Sequence, residues 1–126
     1  MPRILIVEDD AKIREIMKWI LEKSGFEVAT APDGPAGLAA AEAQLPDVVL
    51  LDLVMPQMSG FTVLEKLRER EKTKSLPVVI VSARSATERP LGAARELGAT
   101  GYLEKPFRSE TLVAVVRELL TRGAAK

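Results

Sequence analysis

At 126 residues, 47% of them hydrophobic and 29% charged, the chain has the size and composition of one globular domain, read here as spanning 1–126. Eighteen basic residues cancel eighteen acidic ones, so no overall charge points to direct nucleic-acid binding. It has no cysteine, which excludes disulfides and thiolate-bound metal and fits the cytoplasm, and no histidine, which excludes an imidazole base, an ordinary zinc site and a phosphohistidine of its own.

The N-terminus, "MPRILIVEDD", runs straight into a strand-like stretch, Ile4 to Val7, without the pattern of a cleaved signal. Ile13, Ile16, Met17, Ile20 and Leu21 then recur at helical spacing, and Gly25 closes that helix, with Trp19 expected to pack on it. "FEVAT" (26–30) is a second, weaker strand. "PDGP" is a turn, and Pro35 suits the first position of an alanine-rich helix reaching about Gln44. The third strand is 48–53, continuously aliphatic up to Asp52. Ser59 is placed to cap a helix carrying Phe61, Leu64 and Leu67, while Pro56 stiffens the preceding loop and Gly60 is expected to permit a positive φ. "PVVIVS" (77–82) is a fourth strand; Pro90, Leu91, Ala94 and Leu97 outline a fourth helix ending at Gly98. "TGYLE" (100–104) is the fifth strand, and Ser109 caps a last helix with Leu112, Val115, Val116, Leu119 and Leu120 on one face. No apolar run approaches the roughly 18 residues of a membrane span. The tail "TRGAAK" is compatible with a natural end, an artificial boundary or the start of a linker.

Five strand–helix units with continuously apolar strands predict an α/β fold: a doubly wound, five-stranded parallel sheet with five helices on its two faces. Ligands of such sheets bind beyond the carboxyl ends of the strands, where the strand order reverses. The first strand ends in Glu8, Asp9 and Asp10, the third in Asp52, the fourth in Ser82 and the fifth in Lys105 followed by Pro106. With the order 2-1-3-4-5 these groups converge on one edge. Several carboxylates in one crevice repel, so one must hold a proton or a cation must bind. All-oxygen donors in a partly open site suit a hard ion such as Mg²⁺ that keeps some of its waters.

From end to end the chain resembles the receiver domains of two-component response regulators. The matching pieces are "ILIVEDDAKIR", "DVVLLDLVMPQMSG", "PVVIVSA" and "GATGYLEKPF", in order and at the family's intervals. The resemblance implies that Asp52 accepts a phosphoryl group. It implies that Asp9 and Asp52 ligate Mg²⁺ directly, Val54 through its backbone carbonyl and Glu8 through water, with Asp10 just outside the set. Ser82 matches the switch hydroxyl, Lys105 the lysine that pairs with the carboxylate and then the phosphoryl group, and Tyr102 the rotating aromatic. The Lys105–Pro106 bond is expected to be cis. Val54 and Arg84 stand where family members tune the phosphoryl lifetime.

The function so implied is a phosphoacceptor switch fed by the phosphohistidine of a histidine kinase or a phosphotransfer protein. Its readout is a repacking of the face made by the fourth helix, fifth strand and fifth helix. Such a protein is no enzyme beyond assisting its own phosphorylation and dephosphorylation. Its output would be a downstream protein or a fused domain. A weak homodimer stays open: Thr100, Gly101 and Val115 depart from the pattern of the family's salt-bridged dimers, while Arg117 remains. The rival within the family is a degenerate receiver acting as an unphosphorylated binding module. Two rivals outside it fit less well. A haloacid-dehalogenase-type hydrolase would carry a second aspartate where Val54 stands. A flavodoxin-like nucleotide binder would not put "EDDAK" after its first strand.

Overall fold

A computed structural model describes residues 1–83 and 95–124, and within them the five aliphatic runs are the strands of one parallel sheet. These are β1 (Arg3–Val7), β2 (Glu27–Ala31), β3 (Val48–Asp52), β4 (Val78–Ala83) and β5 (Gly101–Lys105), in the order β2-β1-β3-β4-β5. The register places Val7 beside Leu51, Asp52 beside Val81, and Ala83 beside Lys105. Successive side chains of a strand point to opposite faces. Leu5, Val7, Val49 and Leu51 therefore enter one core with Leu38 and Leu64, and Ile4, Ile6, Val48 and Leu50 enter the other with Met17, Leu112 and Val116. The central strand β3 is buried along its whole length. At about 1.5–3 kcal/mol per buried aliphatic side chain, its four hydrophobes anchor the strand whose last residue is Asp52.

Four helices cover the sheet within the described residues: α1 (Ala11–Lys23), α2 (Gly34–Ala43), α3 (Gly60–Glu69) and a C-terminal helix (Ser109–Ala124). Asp10 caps α1 by accepting from the N–H groups of Lys12 and Ile13, and Gly25 follows its end with φ 95°. Asp33 caps α2, so that helix begins at Gly34, one residue before Pro35. Ser59 caps α3 through the Thr62 N–H. Ser109 is the first residue of its helix, where a capping position one residue outside had been expected.

The expected apolar face of α1 is only partly buried. Met17, Ile20 and Leu21 are inside, but Ile16 is 55% and Trp19 61% exposed. At about 100° per residue, with Ile13 set at zero, the buried stripe spans roughly −20° to 80°, and Ile16 and Trp19 fall near −60° and −120°. Trp19 therefore lies off the packed stripe, contrary to the packing expected of it.

The expected fourth helix falls mostly outside the described residues, as do Arg84, Pro90, Leu91 and Ala94. Arg95 and Glu96 are helical, and Gly98 follows with its N–H donating to the Arg95 carbonyl at 2.9 Å. Among the described residues no helix is long and apolar enough to cross a membrane.

Candidate functional site

The parallel register brings the ends of β1, β3 and β5 to one edge of the sheet, and β4 stands between β3 and β5. Glu8 follows β1 directly, and its N–H donates to the Ala31 carbonyl at 3.1 Å, which extends the sheet contact one residue past the strand. Arg14, one turn into α1, donates to the carbonyl oxygens of Glu8 at 2.8 Å and Asp9 at 3.4 Å. The backbone of the acidic turn is thereby tied to the helix it leads into. Asp10 spends its carboxylate on the helix cap, which separates it chemically from its two neighbours.

Glu8 is 2% and Asp52 7% exposed, whereas Asp9 faces solvent. Carboxylate oxygens of these three residues lie within 4.8 Å of one another. Lys105 enters from β5, its Nζ 2.6 Å from Glu8 Oε1 and 3.6 Å from Asp52 Oδ2. The Lys105–Pro106 peptide bond is cis. One ammonium thus bridges two buried carboxylates contributed by different strands.

That pairing leaves negative charge in excess. Burial pushes the Asp52 carboxyl up to about 7, and the Glu8 carboxylate adds to the rise through a side-chain hydrogen bond and charge repulsion. Lys105 and the Val54 N–H, which donates to Asp52 Oδ1 at 3.3 Å, pull the other way without cancelling it. A buried carboxylate with its neighbours in this arrangement calls for a cation. The donor set fits a hard divalent ion: carboxylate oxygens only, on a crevice that Asp9 keeps open to water.

The loop after β3 runs over this crevice. The Val54 side chain is 79% exposed, while its N–H is engaged with Asp52. Gly60 does not have a positive φ; in this loop that conformation belongs to Gln57, at 70°. Glycine is needed at 60 for a different reason. A Cβ there would overlap the Asp52 carbonyl oxygen and stand 2.8 Å from Leu53 Cα. The start of α3 is pressed against the backbone that carries Asp52, with the Gly60 N–H donating to the Leu53 carbonyl at 2.9 Å.

Ser82 is buried near the end of β4, and among the described residues no hydrogen bond holds its hydroxyl. Tyr102 on β5 packs against the core that includes α3, its ring 5.5 Å from the Arg95 guanidinium carbon. Its hydroxyl is buried and has no hydrogen-bond partner among the described residues. The structure thus joins Glu8, Asp9, Asp52 and Lys105 in one cluster and sets Val54 and Gly60 against its β3 side. Ser82 and Tyr102 stand on the neighbouring strands. The anchoring role of Arg14 is additional: in sequence it reads only as a fixed interval after "EDD", and the carbonyls it holds are invisible there.

The comparisons with known proteins agree with this geometry. A family model of the response regulator receiver domain matches residues 4–117. The chain is 41% identical over 122 residues to the DNA-binding dual master transcriptional regulator RpaA of Synechocystis sp., covering 97% of this chain and 50% of that protein. It is 42% identical over 125 residues to the sensory transduction protein RegX3 of Mycolicibacterium smegmatis, covering 98% and 53%. The chain therefore spans about half the length of these relatives. Among solved structures, the Vibrio cholerae chemotaxis protein CheY4 superposes with a TM-score of 0.89 at 33% identity, covering 94% of this chain and 98% of that one. A response regulator from Chloroflexus aurantiacus, described as putative, gives 0.89 at 33% identity, covering 96% and 99%.

Proposed function

The chain belongs to the response regulator receiver domain family, and on that premise we propose that it is a Mg²⁺-dependent phosphoacceptor switch with Asp52 as the acceptor. A carboxylate oxygen of Asp52 attacks the phosphorus of a phosphohistidine on a kinase or phosphotransfer protein. The P–N bond breaks as the new P–O bond forms, its electron pair passes to the ring nitrogen, and the imidazole, already protonated from solvent on its other nitrogen, leaves neutral. The observation that carries the reading is the convergence of three carboxylates and one ammonium at the end of the most buried strand.

Asp9 and Asp52 would hold the ion directly, the Val54 carbonyl would complete the protein's share, and Glu8 would act through water. Bound there, Mg²⁺ supplies positive charge against the carboxylates and the arriving phosphoryl oxygens. Lys105 supports the same charge balance, held in reach by Glu8 until the phosphoryl oxygens compete for it. Phosphoryl transfer needs positioning and charge stabilisation far more than a base, which suits a chain without histidine. Ser82 then bonds a phosphoryl oxygen, and Tyr102 turns toward the space it leaves. The surface of β5 and its flanking helices repacks and signals to a downstream protein or a fused output domain.

Incubation with a small phosphodonor and Mg²⁺, followed by intact-mass measurement, tests the reading. One phosphoryl adduct is expected for the wild type, and none for Asp52→Asn or with EDTA present. An adduct that survives both changes removes the proposal.

A further inference from the structure

Between Asp52 and α3 the backbone holds a conformation that its own residues disfavour. Gln57 has φ 70°, and the Met58 N–H donates to the Pro56 carbonyl, two residues back, at 2.8 Å. These three residues form a γ-turn of the positive-φ kind, which is rare and strained. Pro56 and Gln57 are exposed, so burial of their side chains does not hold the turn. A strained turn persists only where its surroundings fix it. Before the turn, Leu53 and Met55 are buried in the core shared with α3, and Val54 between them turns its side chain out. After it, Met58 is half-buried against the same core. Its seat is Gly34, the first residue of α2. A Cβ at Gly34 would stand 2.9 Å from both Cβ and Sδ of Met58, and 2.9 Å from Val63 Cγ2 in the first turn of α3. Asp33 caps α2 by accepting from the Ala36 N–H at 2.9 Å, which keeps that seat in place.

We infer that Met58 is a positioning residue for the ion: seated between α2 and α3, it clamps the strained turn and so fixes the loop that presents the Val54 carbonyl to the crevice. The inference rests on the phosphoacceptor reading, in which Val54 is a ligand through its backbone. The Gly60 N–H on the Leu53 carbonyl closes the base of the loop, and the Val54 N–H is tied to Asp52 Oδ1. Met58 fixes the far side. A loop ordered before the ion arrives does not have to be ordered on binding, so the affinity is higher by the entropy saved. Methionine suits the place, because an unbranched thioether fills an irregular gap between two helix starts and a turn. Strain at Gln57 and burial at Met58 are thus two sides of one device. Packing of the methionine holds a backbone shape that Gln57 alone would relax.

Calorimetric titration with Mg²⁺ tests this on Met58→Ala, Met58→Leu and the double variant Gln57→Gly/Met58→Ala. Met58→Ala should bind the ion about tenfold more weakly than the wild type, as loss of a supporting contact does. Met58→Leu keeps the volume and should stay within about twofold. Glycine adopts a positive φ without strain, so the double variant should regain about fivefold of the loss. Hydrogen exchange in EDTA reads the loop without the ion. The Met58 N–H should exchange about tenfold faster in Met58→Ala, while the amides of β3 keep their protection and show that the variant is folded. Unchanged Mg²⁺ affinity in Met58→Ala, a leucine variant as weak as the alanine one, or a double variant without recovery would each overturn the inference and leave the phosphoacceptor reading standing. A wild type that does not bind Mg²⁺ would overturn both.

Discussion

Replacing Asp52 by Asn should make the metal-free protein more stable while abolishing its capacity to accept a phosphoryl group. The carboxyl is raised from 3.8 to about 7, first by burial and then by Glu8, so ionising it in the fold costs free energy that the unfolded chain does not face. At about 1.36 kcal/mol for each pH step, the full rise corresponds to about 4 kcal/mol. Solvent reaching the crevice past Asp9 screens the charges, so about half of that, roughly 2 kcal/mol, is the gain expected above pH 7. The sign follows from proton binding. Between about 3.8 and about 7 the folded protein holds a proton on Asp52 that the unfolded chain has released, so its stability falls as pH rises through that window and levels off above it. Asn has no such dependence. Urea denaturation of both proteins in EDTA, at steps from pH 5 to pH 8, should show the gain growing with pH. A variant less stable than wild type at pH 8, or a gain independent of pH, would refute the electrostatic reasoning.

Lys105→Met removes the ammonium that pairs with Glu8 and Asp52, and should destabilise the metal-free fold by about 2 kcal/mol at pH 8, with Glu8→Gln restoring most of the loss. A double-mutant denaturation cycle measures that coupling. Gly60→Ala places a methyl group on the Asp52 carbonyl and should cost about 1–3 kcal/mol in the same assay. Arg14→Ala frees the Glu8 and Asp9 carbonyls and should weaken Mg²⁺ binding by roughly tenfold, as loss of a supporting contact typically does. Calorimetric titration reads that change. Saturating Mg²⁺ at about 100 times its dissociation constant should stabilise the wild type by about 2.7 kcal/mol in thermal or chemical unfolding, with Asp52→Asn gaining far less.

The sheet was legible in the sequence because a strand buried on both faces has no polar alternation to obscure it: Val48 to Leu51 can only lie in the middle of a covered sheet. The charge that ends β3 was legible for the same reason, since Asp52 interrupts an aliphatic run, whereas Lys105 follows Glu104 in the more polar β5 and was placed by the topology that gathers the strand ends and by the motif around it. What a helical wheel could not decide was the width of the buried stripe on α1. Ile16 and Trp19 have core chemistry, but they lie off the buried stripe and stay largely exposed. Gly60 shows a second limit. Composition suggests a turn glycine, whereas the reason for it is the approach of α3 to the Asp52 carbonyl, a contact between segments that no local pattern encodes. Asp10 and Arg14 make the same point on a smaller scale. Adjacent carboxylates look alike in "EDD", and only the start of α1 separates the capping one from the two that face the crevice.

The central claim is that the phosphoryl group resides on Asp52, and mapping the modified residue tests it most directly. After incubation with a phosphodonor and Mg²⁺, borohydride reduces an acyl phosphate to the alcohol, and peptide sequencing by mass spectrometry locates the change. Homoserine at position 52 is the predicted result. Modification at Glu8 or Asp9, or a phosphoryl group retained on Ser82 with position 52 intact, would contradict it.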